Sequence, residues 1–277
     1  MNLLVIFFFT ASGLNSLLLP ASPGGVLSFF AHSEADEAIF YNPTNLEAGE
    51  DFRVSFFYNN LYVSTRSFSL SLSKKVKTLD FGIGVNNFDY GNMELHPDYP
   101  SEDTTINYQA NDFSLIFCGS AWITRYGKLG INLKYISENI YIYSDWAIAS
   151  DLSLAYCGET GKISFGATNI GSKITIHNEE VDLPAKLSLG MLKEFRKIVF
   201  CSDLHYLINT GQFEFSLGGE IPFGGGFKLG ISANYHQHFY PGFNLVFALN
   251  KIEIRYGGAI YPYHLGLINS FGISFLF

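Results

Sequence analysis

Phe271-Gly272-Ile273-Ser274-Phe275-Leu276-Phe277 closes the sequence and alternates large apolar residues with smaller ones. On a β-strand this alternation places four side chains on one face: Phe271, Ile273, Phe275 and Phe277. A wholly apolar face is stable against lipid, and pairing of the last strand with the first leaves no open edge. The pattern is typical of the last strand of an outer-membrane β-barrel. We expect these four residues to be the signal read by the barrel-assembly machinery.

The composition of the 277-residue chain also favours a membrane barrel. Aromatic residues make up 17% and charged residues 15% of the chain, and the mean hydropathy is +0.16. Strands that alternate lipid-facing and lumen-facing residues give this combination. Beyond the N-terminal residues, no stretch approaches the ~18 apolar residues of a transmembrane helix. We therefore expect strands in the bacterial outer membrane, with lipid as a partner.

Charge and cysteine content exclude other classes. The formal net charge is −8 and basic residues are not clustered, which argues against nucleic acid as a partner. Cys118, Cys157 and Cys201 are odd in number and far apart. They are interpreted as packing residues rather than as a disulfide framework or a metal site.

From Phe52 onward, apolar residues recur at every second position and turn residues interrupt them at intervals of roughly ten residues. The pattern predicts an all-β transmembrane antiparallel barrel of about fourteen strands, although periodicity alone leaves twelve or sixteen open. A closed soluble barrel of fewer strands is the alternative fold. The predicted strands are 52–60, 62–73, 78–89, 112–123, 128–140, 146–157, 162–170, 185–193, 196–208, 212–221, 226–235, 243–249, 251–261 and 268–277.

The connections between these strands alternate between short ones and long or irregular ones, as expected when hairpins close alternately on the two sides of the membrane. Long or irregular connections are predicted at 90–111, 141–145, 171–184, 236–242 and 262–267. An even number of strands then places both termini in the periplasm.

The second face of the predicted strands is polar and carries charges of both signs. Such side chains require water or partner charges, so a polar lumen is expected. Asp151 is expected to pair with Lys134 or another cation across the lumen, or to contact an inserted segment. Many other inward positions are small and leave room for a plug; among them are Gly82, Gly84, Gly130, Gly166, Gly218 and Gly230.

The N-terminal region divides before the first strand. Residues 3–9 and the following small and leucine-rich positions resemble the apolar core of a signal peptide, so residues 1–22 are assigned to a signal. A positively charged start is missing, and a buried N-terminal strand or helix is the alternative. Residues 23–50 form a separate segment, and 51–277 form the barrel. A short helix is predicted to end before Asn42-Pro43.

Residues 35–46 resemble the D-x-A-x-x-x-N-P-A-G-L signature of the PorV/PorQ family, which comprises FadL-like outer-membrane barrels associated with type IX secretion and their relatives. The matching residues are Asp36, Ala38, Tyr41, Asn42, Pro43 and Leu46, while Thr44 and Asn45 replace the usual Ala and Gly. Later stretches at 130–136, 149–156, 165–171 and 183–184 resemble further motifs of that family.

The resemblance implies a fourteen-stranded barrel with residues 23–50 folded into the lumen as a hatch, here called the hatch segment. It also implies a non-enzymatic scaffold in protein export, with secreted proteins or secretion-system components as partners. The alternatives are a FadL-like channel for hydrophobic small molecules, whose expected sign is an apolar pocket beside the hatch, and a structural outer-membrane protein.

No residues indicate catalysis, a cofactor or a metal. A G-x-S-x-G elbow is missing, and no Ser/His/Asp pattern is evident. His236 and His238 flank Gln237 without the further ligands of a metal site. The acidic positions of the longest connection lack calcium-loop spacing and are interpreted as solvated: Glu94, Asp98, Glu102 and Asp103.

Overall fold

The computed structural model describes residues 14–61, 65–95, 106–176, 179–261 and 266–277. Within these residues, fourteen strands form one closed antiparallel barrel, and two short strands form a separate hairpin. The barrel strands are β1 (Arg53–Asn60), β2 (Arg66–Val76), β3 (Leu79–Leu95), β4 (Ile106–Trp122), β5 (Gly127–Ile140), β6 (Tyr143–Cys157), β7 (Gly161–Gly171), β10 (Lys186–Phe195), β11 (Ile198–Leu207), β12 (Gln212–Gly224), β13 (Phe227–His236), β14 (His238–Leu249), β15 (Ile252–Tyr261) and β16 (Gly266–Leu276). The hairpin consists of β8 (Ile174–Ile176) and β9 (Glu179–Val181). The predicted fold class and strand number are confirmed.

The barrel closes between its first and last strands. β1 pairs with β16 from Arg53 opposite Leu276 to Asn60 opposite Asn269. The Phe277 N–H also donates to the Phe52 carbonyl at 3.0 Å. Closure leaves neither strand with a free edge, which a membrane-spanning sheet requires.

The two-residue period separates an apolar exterior from a polar lumen. In β2, Ser67, Ser69 and Ser71 are buried, whereas Phe68 between them is 50% exposed. At the C-terminus, Phe271 and Phe277 are exposed and the serine at 274 is buried. Only contact with lipid makes such an exterior favourable over fourteen strands.

Two predicted long connections are wrong. β5 and β6 are joined by Tyr141 and Ile142 alone, and β13 and β14 by Gln237 alone. Tyr141 and Gln237 have positive φ angles of 58° and 60°, the left-handed conformation that tight turns need. Pro241 lies within β14. It lies outside the β14–β15 ladder, which starts at Gly242, so its missing N–H is tolerated there.

The predicted connection at 90–111 is also shorter than expected, because β3 continues to Leu95 and β4 begins at Ile106. A bulge between Asp89 and Asn92 shifts the β3–β4 register. The connection after β7 is long and contains the β8–β9 hairpin. We call the end of the barrel with this hairpin the loop end, and the opposite end, where β1 starts and β16 finishes, the turn end.

Residues 14–46, in which no described side chain is exposed, lie inside the barrel. They form 3-10 turns at Asn15–Leu18, Pro23–Leu27 and Pro43–Asn45 and one short helix, α1 (Ala38–Tyr41). The helix ends before Asn42-Pro43, as predicted, because the residue before proline disfavours helical geometry. No helix in the described part of the chain is long and apolar enough to span a membrane.

Candidate functional site

Asp36 is the central contact between the hatch segment and the barrel wall. Its carboxylate accepts hydrogen bonds from the buried Arg255 guanidinium of β15, at 3.0 Å from Nη1 and 2.8 Å from Nη2. The hydroxyls of Ser55 and Ser274 donate to the same carboxylate at 2.5 and 2.6 Å. Bidentate charge-assisted contacts of this kind are strong. Because Ser55 lies in β1 and Ser274 in β16, Asp36 holds the hatch at the closure of the barrel.

Arg255 is shared by several carboxylates. Its Nη1 lies 3.3 Å from Glu37 Oε1, and Glu253 forms a further ion pair with Nη2. Burial raises the pKa of Glu37 to about 7; Arg255 lowers that pKa in part and the Asp36 charge raises it again. Burial also opposes ionisation of Asp36, but Arg255 and the surrounding hydrogen bonds hold the pKa of Asp36 well below its usual range. At neutral pH, Asp36 is therefore charged and Glu37 titrates.

Further ion pairs hold the preceding residues of the hatch. Glu34 Oε1 lies 2.6 Å from Lys228 Nζ of β13, and His32 Nε2 lies 2.9 Å from Glu220 of β12. Burial opposes ionisation of Glu34, but Arg255 and Lys228 together lower its pKa. The acidic residues of the hatch thus face cations on β13 and β15, whereas His32 faces a carboxylate on β12.

Asn42 joins the two halves of the hatch segment. Its Oδ1 accepts the Thr44 N–H at 3.0 Å and the Thr44 hydroxyl at 2.8 Å. Its Nδ2 donates to the Phe30 carbonyl at 2.8 Å, and Asn45 Nδ2 donates to the same carbonyl at 3.0 Å. Pro43 fits the first position of the turn because its fixed φ suits a helical start. Thr44 and Asn45, which depart from the family signature, therefore have structural roles in this chain.

The other motif residues are also placed in the hatch. Ala38 and Leu46 are fully buried, and the Tyr41 hydroxyl accepts the Ala21 N–H at 2.8 Å. The Leu46 carbonyl accepts hydrogen bonds from Lys128 Nζ at 2.6 Å and from the Ser120 hydroxyl at 3.0 Å. These lumen side chains satisfy hatch carbonyls that would otherwise be buried without partners.

Lys134 and Asp151 form a buried ion pair of 2.8 Å. Asp151 also accepts from Asn132 Nδ2 at 2.8 Å and from the Asn169 N–H at 2.8 Å. Asn132 Nδ2 donates to the hatch carbonyl of Ile39 at 3.1 Å as well. Asn132 therefore connects this ion pair to the hatch. Asp151 itself lies at a β6–β7 bulge.

Inward glycines make space for the hatch. A Cβ atom added to Gly130 would lie 2.6 Å from the Pro43 carbonyl carbon, and one added to Gly82 would lie 2.6 Å from Ile39 Cδ1. One added to Gly230 would lie 2.7 Å from Leu27 Cδ1. The backbone of the wall approaches the hatch at a distance that only glycine allows.

An apolar compartment lies beside the hatch at the loop end. One part consists of buried aliphatic residues on β5, β6 and the β7–β10 connection: Ile136, Ala147, Ala149, Ile174 and Leu183. The other part consists of residues from the wall and the hatch: Val26, Leu61, Phe88, Tyr240, Ala259 and Ile268, with Tyr90 and Tyr261 beside them. The rings of Tyr240 and Tyr261 stack at 4.4 Å.

Residues 14–19 fill this compartment in the structure. Leu14 is buried in the aliphatic part and Leu17 packs against it, while Leu19 packs against the aromatic part. The apolar core predicted for the signal, residues 3–9, lies outside the described residues. The compartment thus contains leucine side chains of the chain itself.

The remaining groups considered in the sequence do not assemble a site. Among the described residues, no group of three or more His, Cys, Asp or Glu side chains could hold a metal ion. Cys118, Cys157 and Cys201 are free thiols. The acidic side chains at 94, 98, 102 and 103 lie outside those that the structure describes.

Sequence reasoning missed two groups. It predicted charged side chains in the lumen but did not identify Arg255 as the partner of Asp36. It also did not pair Ser188 with His205, whose Oγ and Nδ1 lie 2.8 Å apart and are both buried. Both contacts join residues on neighbouring strands or in the hatch, so no short spacing in the sequence could have revealed them.

Comparison with protein-family models finds no match, and comparison with curated proteins finds none either. Solved structures share the fold. The Ralstonia pickettii toluene transporter TbuX aligns over 94% of this chain and 99% of its own, with a TM-score of 0.69 and 10% identity. The Pseudomonas putida toluene transporter TodX aligns over 94% and 95%, with a TM-score of 0.68 and 10% identity. The chain therefore shares the fold of these two barrels, and its apolar exterior agrees with location in the bacterial outer membrane.

Proposed function

We propose that this protein is an outer-membrane channel for hydrophobic small molecules, the function considered above as the alternative to export. The observation that carries the proposal is the apolar compartment at the loop end, beside the hatch. The toluene transporters TbuX and TodX share the fold, which supports the same class of function.

The compartment differs from the rest of the lumen. Elsewhere the hatch and wall meet through carboxylates, amides and cations, which bind polar groups, as well as through smaller apolar clusters. Here aliphatic side chains and aromatic rings surround a space that is filled by leucines. An apolar ligand in the same space gains about 25 cal/mol for each Å² that it removes from water. Small hydrocarbons and single-ring aromatics fit this chemistry.

Residues 14–19 must leave the compartment before a ligand can occupy it. The sequence assigns these residues to a signal that is removed on export. We propose that the mature protein carries an open compartment where Leu14, Leu17 and Leu19 lie in the structure. The hatch then forms its floor, and passage to the periplasm requires movement of the hatch.

A bulky substitution in the compartment tests the proposal. Ala147 is fully buried in the aliphatic part, so Ala147→Phe would fill the ligand space. Ala121 alternates with the buried Ser120 on β4 and faces outward, which makes Ala121→Phe the matched control.

The assay is uptake of radiolabelled toluene by cells that express each variant at equal outer-membrane levels. We expect Ala147→Phe to lower channel-dependent uptake about tenfold, the factor that corresponds to roughly 1.4 kcal/mol, and Ala121→Phe to leave it unchanged. If cells that express the unaltered protein take up no more toluene than cells without it, the proposed function is contradicted.

The second candidate is a partner in protein export, which the resemblance of Asp36, Asn42 and Pro43 to the PorV/PorQ signature supports. Mild purification from detergent-solubilised outer membranes, followed by mass spectrometry of bound proteins, separates the two candidates. Stoichiometric recovery with large secretion components would favour export. Recovery of the barrel with bound hydrophobic molecules and no protein partner would favour transport.

A further inference from the structure

The apolar compartment contains one polar spot. Asp112 of β4 is 3% exposed and its Oδ2 accepts a hydrogen bond from the Tyr90 hydroxyl at 2.7 Å. The Ser16 hydroxyl donates to the same Oδ2. Asp112 Oδ1 is buried without a hydrogen-bond partner. Glu138 lies directly across from Asp112 on β5 and is also buried.

The surroundings of this carboxylate belong to the apolar compartment. A narrow space at Asp112 is bordered by the apolar Leu17, Phe88 and Ile136, residues that also belong to or pack against the two parts of the compartment. Its border also includes Phe113 and the polar Ser16, Asn86 and Ser114. Asp112 thus presents acceptor atoms where the apolar compartment meets polar side chains.

Residues 14–17 occupy this space as an amphiphile would. The leucine side chains lie among apolar residues while the intervening Ser16 hydroxyl donates to the carboxylate. A purely hydrocarbon ligand in their place would leave this acceptor with one donor fewer. Such a loss removes a hydrogen bond to a carboxylate, one of the stronger kinds, and leaves Tyr90 as the remaining donor.

We propose that the compartment binds apolar molecules that carry one hydroxyl group, and that Asp112 accepts the hydrogen bond from that hydroxyl. This proposal rests on the proposed function and narrows its substrate class: Ser16 marks the position of the ligand's hydroxyl, and Leu14 and Leu17 mark its apolar body. Phenols and medium-chain alcohols have this combination.

The observed donors favour a neutral hydroxyl over an amine. Both groups that donate to Asp112 are hydroxyls, from Ser16 and Tyr90. Asp112 and Glu138 are adjacent carboxyls, however, and an ammonium group is the competing ligand that the experiment has to separate.

The test compares binding of p-cresol, toluene and benzylamine to protein purified from outer membranes, with the mature N-terminus read by intact mass. We expect p-cresol to bind about ten- to a hundredfold more tightly than toluene, the range for a hydrogen bond to a charged acceptor. Asp112→Leu should remove the preference and keep toluene binding, and Asp112→Asn should reduce the preference. Glu159→Gln, at an exposed turn-end position, is the control.

The outcomes separate this proposal from the one on which it rests. Equal affinity for toluene and p-cresol would overturn the hydroxyl assignment and leave the channel proposal standing, and this comparison on the unaltered protein does not depend on the folding of any variant. Tightest binding of benzylamine would also overturn it. Failure of all three probes to bind would contradict the proposed function itself.

Discussion

Arg255→Gln should release the hatch segment while the barrel stays closed. Arg255 is fully buried and faces the carboxylates of Asp36, Glu37 and Glu253. Glutamine removes the positive charge and both arms of the bidentate contact, which leaves Asp36 buried with hydroxyl donors and the more distant Arg53, at 3.4 Å. Breaking a buried ion pair by removing one partner costs roughly 3–5 kcal/mol.

The assay is hydrogen exchange of hatch amides, followed by mass spectrometry of the folded protein in detergent. The N–H groups of Ala31 and Thr44 are suitable probes, because both donate to side chains inside the lumen. At 1.36 kcal/mol per factor of ten, the loss corresponds to roughly 100- to 5,000-fold faster exchange in the hatch. Amides of β4 and β5 provide an internal reference for barrel folding.

Two variants sharpen this test. Arg255→Lys keeps the charge but loses the planar fork, so an intermediate acceleration of exchange is expected. Arg66→Gln changes an exposed arginine and should have no effect on the hatch. Hatch exchange in Arg255→Gln within threefold of the unaltered protein would refute the assignment of Arg255 as the main anchor.

Three further predictions concern the hatch segment and the lumen side chains beside it. Gly130→Val should displace the hatch and accelerate its exchange, because its Cβ would lie 2.6 Å from the Pro43 carbonyl carbon, whereas Gly119→Val should not, because no atom lies within 4 Å of a Cβ at that position. Burial raises the pKa of Glu37 to about 7, so protonation of Glu37 stabilises the seated hatch. This stabilisation is fully present below about pH 4.3 and is lost as the pH rises through 7. Hatch exchange, corrected for its intrinsic rate, should therefore be faster at pH 8 than at pH 5.5, and Glu37→Gln should remove this contribution. Asp151→Asn leaves Lys134 buried without its carboxylate and should destabilise the barrel by roughly 3–5 kcal/mol in denaturant unfolding. An unchanged unfolding midpoint would show that Asn132 and Asn169 stabilise this part of the lumen without the carboxylate.

The strands could be predicted from the sequence because a membrane barrel imposes one rule on every strand. Lipid requires an apolar outer face, and the two-residue period then alternates it with the lumen face. The rule extends to β16, where Phe271 and Ser274 lie on opposite faces as expected. It fails at 236–242, where a connection is predicted, because the turn is the single residue Gln237 and β14 continues through Pro241.

The site could be predicted only in part. Polar and glycine positions on the lumen face are visible in the sequence, since both follow from the alternation. Which of them meet is not visible, because the contact between Asp36 and Arg255 joins residues 219 positions apart. The same holds for Asp112, whose hydrogen bond from Tyr90 joins two neighbouring strands beside an irregularity in their register.

Ligand binding and hatch release should be coupled, because the compartment and the anchor share the turn Pro23–Leu27. Val26 contributes a buried side chain to the compartment. Two residues earlier, the Gly24 N–H donates to Glu37 Oε1 at 3.0 Å, and that oxygen faces Arg255. A ligand that displaces Val26 therefore disturbs a group that holds the hatch. Linkage requires the effect to be reciprocal. Saturating toluene or p-cresol increases the opening equilibrium constant of the hatch by some factor. The ligand must then bind the protein with the released hatch more tightly, by the same factor, than the protein with the seated hatch. If hatch exchange is the same with and without saturating ligand, the two sites are independent and the hatch is a static floor.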